Sequence, residues 1–344
     1  MKLTSCQKMM YQTLFCGDRE DYLLLTDYLH YLYAENVRER LLTHPLFAPS
    51  ELWKDWAEET FVGFSTEKML LQGGHAFPVS IEVGGGGREV GAPQTVRRCV
   101  RELGAALRGD PVRRGRDLEF LSRLFARHYR GWKVFPEHTS WYAVHPNPYF
   151  RCAEAHQLRS KLSAPERMLE IGAGACVNVA FQHSLYPGLR TVIIDLPETI
   201  FAGYTFLRAV LPGLRICLPH QVRATVDRGA YDVIFLLPMQ HELVPERVFD
   251  LCFNMSSFQE MNIEVVNNYL RLASHALTDD GVLISVNQER SRYIQDNSLD
   301  KYDFRSFGPS LVRTVKESPF HRALAGRATM SAIIHCEVTK RSGR

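Results

Sequence analysis

Chemistry is most legible in this 344-residue chain at two closely spaced glycines. Leu169-Glu170-Ile171-Gly172-Ala173-Gly174 reads as an apolar strand ending in a tight turn, where glycine lets bare backbone approach a ligand. A helix expected over Val177 to Leu185 aims free N–H groups and partial positive charge at that turn. A phosphate could use this feature, and so could the carboxylate of a methionine. Position 177 is Val, so the third glycine of the GxGxxG dinucleotide pattern is missing, which leans away from NAD. About 20 residues beyond the turn, Asp195 closes a second strand, where a carboxylate can accept both hydroxyls of a ribose. Together these features point to a nucleoside-bearing cofactor. The alternative is a turn that merely packs a helix on a sheet, with Asp195 an ordinary strand-end cap.

The elements that must position these residues change in texture along the chain. Tyr22 to Leu42 and Glu51 to Phe61 carry apolar residues at helical spacing. Phe77 to Val83 alternates like a short strand and runs into Gly84-Gly85-Gly86-Gly87. Thr95 to Leu107 and Asp117 to Tyr129 read as amphipathic helices. Trp132 to Phe150 is rich in Pro, His and aromatics and reads as a linker or lid, followed by a short helix over Ala153 to Leu162. From Glu166 onward strands and helices alternate. Strands are expected at Arg167–Ile171, Thr191–Ile194, Asp232–Leu237, Phe249–Phe253, Gly281–Val286 and Met330–Val338. Helices fall at Val177–Leu185, Glu198–Val210 and Ile263–Leu277, the second introduced by Pro197. Such alternation implies an α/β fold with a doubly wound, Rossmann-like sheet. The division is a mostly helical N-terminal domain over residues 1–150 and a catalytic domain over 151–344.

Composition narrows the function classes. Hydrophobic residues make up 45% of the chain, enough for a large core, and the net charge of +3 is too mild to argue for nucleic acid. The arginines at 97, 98, 101, 108, 113, 114 and 116 are interleaved with acids and read as solvated helix faces, though a phosphorylated acceptor, such as a nucleotide-linked sugar, would give them another purpose. No apolar run approaches the ~20 residues a membrane span needs, and the first residues offer no signal-peptide core. Eight scattered cysteines without a CxxC pair read as reduced thiols, so the expected location is cytoplasmic. Asp279-Asp280 reads as a turn before Gly281 rather than as metal ligands, and no metal is expected.

Glu170-Ile171-Gly172-Ala173-Gly174 resembles motif I of class I S-adenosylmethionine-dependent methyltransferases. Ile194-Asp195-Leu196-Pro197-Glu198-Thr199 is similar to the Asp-Leu-Pro segment of small-molecule O-methyltransferases. The segment from Phe249 to Met261, with Asn254 ending a strand and Ser257-Phe258-Gln259-Glu260-Met261 following, resembles the sugar O-methyltransferase family. The resemblance covers residues 160 to 290 or so. It implies S-adenosyl-L-methionine as cofactor, held by Glu170, Gly172, Ala173, Gly174, Asp195, Leu196, Asn254, Met255 and Ser256. It also implies methyl transfer to a hydroxyl of a sugar or glycosylated small molecule. Methylation of a natural product at carbon or a phenolic oxygen stays open, as does a binding protein that has lost catalysis.

Methyl transfer is an in-line displacement, so alignment dominates and a base that takes the hydroxyl proton helps. Glu260, just past a strand end, is one candidate base, though it could equally cap the next helix. His241 and His156 are two more, with a surface-loop histidine the alternative for His241. Tyr142, His145, Tyr149, Gln259 and Arg290 are the expected substrate contacts, by position in the lid or beyond strand ends. The expected partner is a small-molecule acceptor, with no nucleic acid or membrane, and a homodimer through the N-terminal helices fits the phenol-methylating relatives.

Overall fold

In a computed structural model, the structure describes residues 19–54, 61–64, 69–72, 164–174, 176–222, 229–308, 312–317 and 333–339. In chain order the elements are helices α1 (Arg19–Ala34) and α2 (Val37–Leu42), a hairpin of β1 (Phe61–Phe64) and β2 (Met69–Gln72), then β3 (Arg167–Ile171) and α3 (Val177–Leu185). They continue with β4 (Arg190–Ile194), α4 (Pro197–Val210), β5 (Ile216–Cys217), β6 (Val233–Leu236) and β7 (Phe249–Met255). Helix α5 (Ile263–Ala276), β8 (Leu277–Gln288), β9 (Val312–Glu317) and β10 (Ile333–Thr339) complete the order.

The large sheet runs β5-β6-β4-β3-β7-β8-β10-β9. Its first six strands are parallel, and β10 pairs antiparallel with both β8 and β9. This is the expected doubly wound, Rossmann-like α/β sheet. The chain starts it at β3, builds outward through β4, then returns to the other side of β3 with β7. The reversal between β3 and β7 is a topological switch point, and ligands of such sheets bind beyond the carboxyl ends of the strands there.

Two-residue alternation sorts each central strand between two cores. Met168, Ile193, Phe235 and Phe253 face α3 and α4, with Phe181, Phe201 and Leu207. Leu169, Ile171, Ile194 and Cys252 face α5, with Val266, Tyr269 and Leu270. Both faces are covered, which is why the strands read as apolar runs. Leu25, Tyr28 and Val37 of the N-terminal helices join the first core. Buried Asp21 accepts from the Tyr204 hydroxyl and sits 2.9 Å from Arg208 Nε, tying α1 to α4.

The structure corrects the sequence reading at four places. The helix expected over 22–42 is broken at Asn36, whose φ of 48° is left-handed, a conformation Asn tolerates better than most residues. Of the helix expected over 51–61, residues 51–54 are helical, but Phe61 belongs to β1 and pairs with Gln72. Asp279 and Asp280 lie inside β8, beside the register shift between Phe249 and Leu251, and Asp279 pairs with Arg247 rather than closing a turn. Strands β5 and β9 had no sequence signal. The elements expected between residues 77 and 162 lie outside the described residues.

Candidate active site

The turn after β3 has the backbone that the glycines allow. Gly172 has φ +69° and Gly174 +54°, and Cys176, capping α3, also sits at +59°. The Gly172 amide donates to the Ile194 carbonyl at 2.9 Å, locking the turn to the end of β4. A Cβ on Gly172 would lie 1.9 Å from Ser257 Oγ, so only hydrogen fits there. A Cβ on Gly174 would meet nothing within 4 Å.

Asp195, at the end of β4, accepts from the Gly174 amide at 2.7 Å and from the Leu196 amide at 2.8 Å. Burial pushes its carboxyl up to about 6, against the pull of hydrogen bonds from Thr199 and from backbone at 196, 174 and 173. The Gly174 and Leu196 amides take one acceptor site on each carboxylate oxygen.

Glu170 lies one layer below. It is buried on the α3 side, and its Oε2 accepts from Asn178 Nδ2 at 3.0 Å, bridging the two flanks of the turn. Burial raises its carboxyl to about 8 against the Asn178 hydrogen bond, and Asp195 raises it further. The folded protein therefore holds a proton here that the unfolded chain releases, between the ordinary value of 4.5 and about 8. Across that window stability falls as pH rises, by up to about 1.4 kcal/mol per pH unit. Two other buried groups act lower. His183, pushed down to about 4 by burial, makes stability rise with pH up to 6.5, and raised Asp195 makes it fall up to about 6. Between 6.5 and 8 the Glu170 contribution stands clear of both, and Glu198, whose carboxyl burial also raises, acts in the same sense. We expect Glu170→Gln, which keeps the acceptor for Asn178, to remove most of the decline in melting temperature from pH 6.5 to 8. An unchanged slope would show that the carboxyl is not held protonated.

Above the turn opens a cleft of about 430 Å³, part of it open solvent. One wall is Gly172, Ile194, Asp195 and Leu196, with Pro238 and Ser257 beside them. The lining also includes Phe47, Ala48, Pro49, Ser50 and Trp53, with Met261, Val265 and Tyr269 of the α5 region. The N-terminal wall is fastened across the whole chain. Ser50 Oγ donates to the Glu260 carbonyl at 2.6 Å, and Asn268 Nδ2 donates to the Leu46 carbonyl at 2.6 Å. The Phe47 ring packs 4.5 Å from Tyr269 and 4.7 Å from His241.

The remaining candidates fall around this cleft unequally. Asn254 is fully buried: its amide donates to the Ile171 carbonyl at 2.8 Å, and its oxygen accepts from Asn287 at 2.8 Å. It braces the strand ends beneath the turn. Met255 packs against the first core, and Ser256 has φ +61° with its amide on the Val286 carbonyl. Gln259 is buried, its Oε1 accepting from the Gln288 amide at 2.8 Å. Glu260 ends a 3-10 turn whose carbonyl holds Ser50. His241 stacks behind Phe47, with Nδ1 3.2 Å from the Pro238 carbonyl. Arg290 is exposed and pairs by backbone with Ser298. Ala173 is half-buried in the turn. Tyr142, His145, Tyr149 and His156 lie outside the described residues.

Sequence reasoning missed Ser257, Met261, Tyr269 and the wall from Phe47 to Trp53. Ser257 and Met261 sit in the segment that carried the resemblance, one and five residues past the Ser256 that was chosen. For Phe47 to Trp53 the local signal was Pro45 and Pro49 interrupting two helical stretches, which marks an irregular segment but not its destination.

No family model matches the chain, and no curated protein matches it. Among solved structures it is similar to the cyclase SpnF, with TM-score 0.40 and 14% identity over 57% of this chain and 82% of that one. It is similar to the N-methyltransferase NodS from Bradyrhizobium japonicum WM9, with TM-score 0.40 and 12% identity over 58% of this chain and 98% of that one. A third is geranyl diphosphate C-methyltransferase from Streptomyces coelicolor A3(2), solved with S-adenosyl-L-homocysteine (TM-score 0.39, 13% identity, 55% and 75% covered).

Proposed function

We propose that this chain is an S-adenosylmethionine-dependent methyltransferase acting on a hydroxyl of a small molecule. The observation that carries the reading is the shared cleft of Gly172 and Asp195 at the sheet's switch point. The residues fit the group. Bare backbone at 174 leaves room for its amino-acid end, while the space beside Gly172 is filled by Ser257, and the Asp195 carboxylate lines the same cleft. The bound cofactor supplies an electrophilic methyl group for in-line displacement. The chain's own part is alignment and proton removal: Gly172, Ala173, Gly174, Asp195 and Leu196 hold one reactant, and Glu260, His241 or His156 takes the acceptor's proton. Glu170 acts from below by bracing the turn.

Resemblance at Asn254 to Met261 favours a hydroxyl on a sugar or glycosylated small molecule. The aromatic side chains of the lining, Phe47, Trp53 and Tyr269, favour a second reading, a natural product methylated at a phenolic oxygen or carbon. A cytoplasmic location, a homodimer and a division near residue 150 belong to the same reading. Among the described residues, no helix is long and apolar enough to cross a membrane.

Titration calorimetry with S-adenosylhomocysteine tests the cofactor. We expect saturable binding at one site per chain with micromolar affinity, about −8 kcal/mol. No heat across several temperatures would leave the chain a methyltransferase-like scaffold.

A further inference from the structure

The cleft lining is of two kinds. Gly172 and Asp195 offer backbone and a carboxylate. Phe47, Trp53 and Tyr269 offer rings. Among the described lining residues Asp195 is the one charged side chain, and the Ser50 hydroxyl is already committed to the Glu260 carbonyl.

We infer that the Phe47–Trp53 segment is the acceptor-selecting wall, and that the acceptor it selects is an apolar molecule with a planar ring. The inference rests on the cofactor reading above, which assigns Gly172 and Asp195. A free sugar brings a hydroxyl on nearly every carbon, and each one buried without a partner costs about 1–3 kcal/mol. A phosphorylated acceptor calls for Arg or Lys, which pair with phosphate through charge-assisted bonds. The described lining has neither. A planar ring, in contrast, gains from offset or edge contacts with Phe47, Trp53 and Tyr269. The wall is also rigid: Ser50 is buried and fixed at 2.6 Å, and the Phe47 ring is held between His241 and Tyr269. A rigid wall of defined shape discriminates among acceptors at little ordering cost.

The test titrates the full chain first with S-adenosylhomocysteine, then, with that site saturated, with 2-naphthol, methyl glucoside or glucose 6-phosphate. Expected is saturable binding of 2-naphthol alone. Trp53→Ala should weaken 2-naphthol about tenfold while changing S-adenosylhomocysteine affinity less than about threefold. Phe47 is buried, so Phe47→Leu accompanies Phe47→Ala; it removes the ring while keeping apolar volume and should give the same split. Binding of a sugar probe without 2-naphthol, while S-adenosylhomocysteine still binds, overturns the inference and leaves the cofactor reading intact. Equal loss of both ligands in the variants overturns it too, because the segment would then wall the cofactor. Absence of S-adenosylhomocysteine binding in the unmodified chain brings down the cofactor reading and this inference with it.

Discussion

Asp195→Ala should lower S-adenosylhomocysteine affinity by about a hundredfold or more, measured by calorimetry at pH 7.5. Two effects compound. A hydrogen bond to a charged group contributes about 1.5–3 kcal/mol, and a ribose would make two to this carboxylate. The same oxygens hold the Gly174 and Leu196 amides at 2.7 and 2.8 Å, so truncation also frees the turn that must receive the amino-acid end. Asp195→Asn keeps one acceptor and removes the charge, so it should fall between, at about tenfold. The pH profile separates charge from shape. The carboxyl is pushed up to about 6 by burial, and ribose hydroxyls favour the ionised form that accepts them. Affinity of the unmodified chain should rise as pH climbs from 5 to 7, and the Asn variant should show a flat profile. A hundredfold loss without that difference in profile would assign Asp195 a purely structural part.

Gly172→Ala should cost about 2–4 kcal/mol of folding stability by urea denaturation and abolish cofactor binding. The φ of +69° costs any side chain about 1–2 kcal/mol. The new methyl would also fall 1.9 Å from Ser257 Oγ and 2.5 Å from its Cβ, so the turn after β7 must give way. A second substitution partitions the two terms. In Gly172→Ala with Ser257→Gly the clash is gone and the backbone strain stays, so about half of the loss should return. Gly174→Ala is the contrast: similar φ, open space, and a cost of about 1 kcal/mol. Equal stability of Gly172→Ala and the parent would contradict the close approach of the two turns.

The sheet was legible because its central strands are buried on both faces and so read as apolar runs, with β3 closed by Gly172 and β4 by Asp195. Arg167–Ile171 and Val177–Leu185 fall where periodicity put them. The two-residue strand at Ile216–Cys217 is too short to show any period. The long strand from Leu277 includes Asp279-Asp280-Gly281, whose composition speaks for a turn; these residues fall in the register shift, between Leu277 opposite Phe249 and Val282 opposite Leu251. At the site, Gly172, Asp195 and Leu196 were visible as a local pattern that lines the cleft. The Phe47 to Trp53 lining was invisible for a plain reason. Phe47 meets Tyr269, and Ser50 meets Glu260, across stretches of more than 200 residues, and neither residue type announces such a partner.

That separation has a cost at synthesis. Ser50 leaves the ribosome 210 residues before the carbonyl that will hold it, and Leu46 waits 222 for Asn268. At roughly 5–20 residues per second, the interval is about 10 to 40 s. Throughout it Phe47 and Trp53 are apolar side chains with no finished surface to cover them. The nascent chain is thus open to misassociation and to chaperone capture until its central strands emerge, and the cleft is among the last features to be completed.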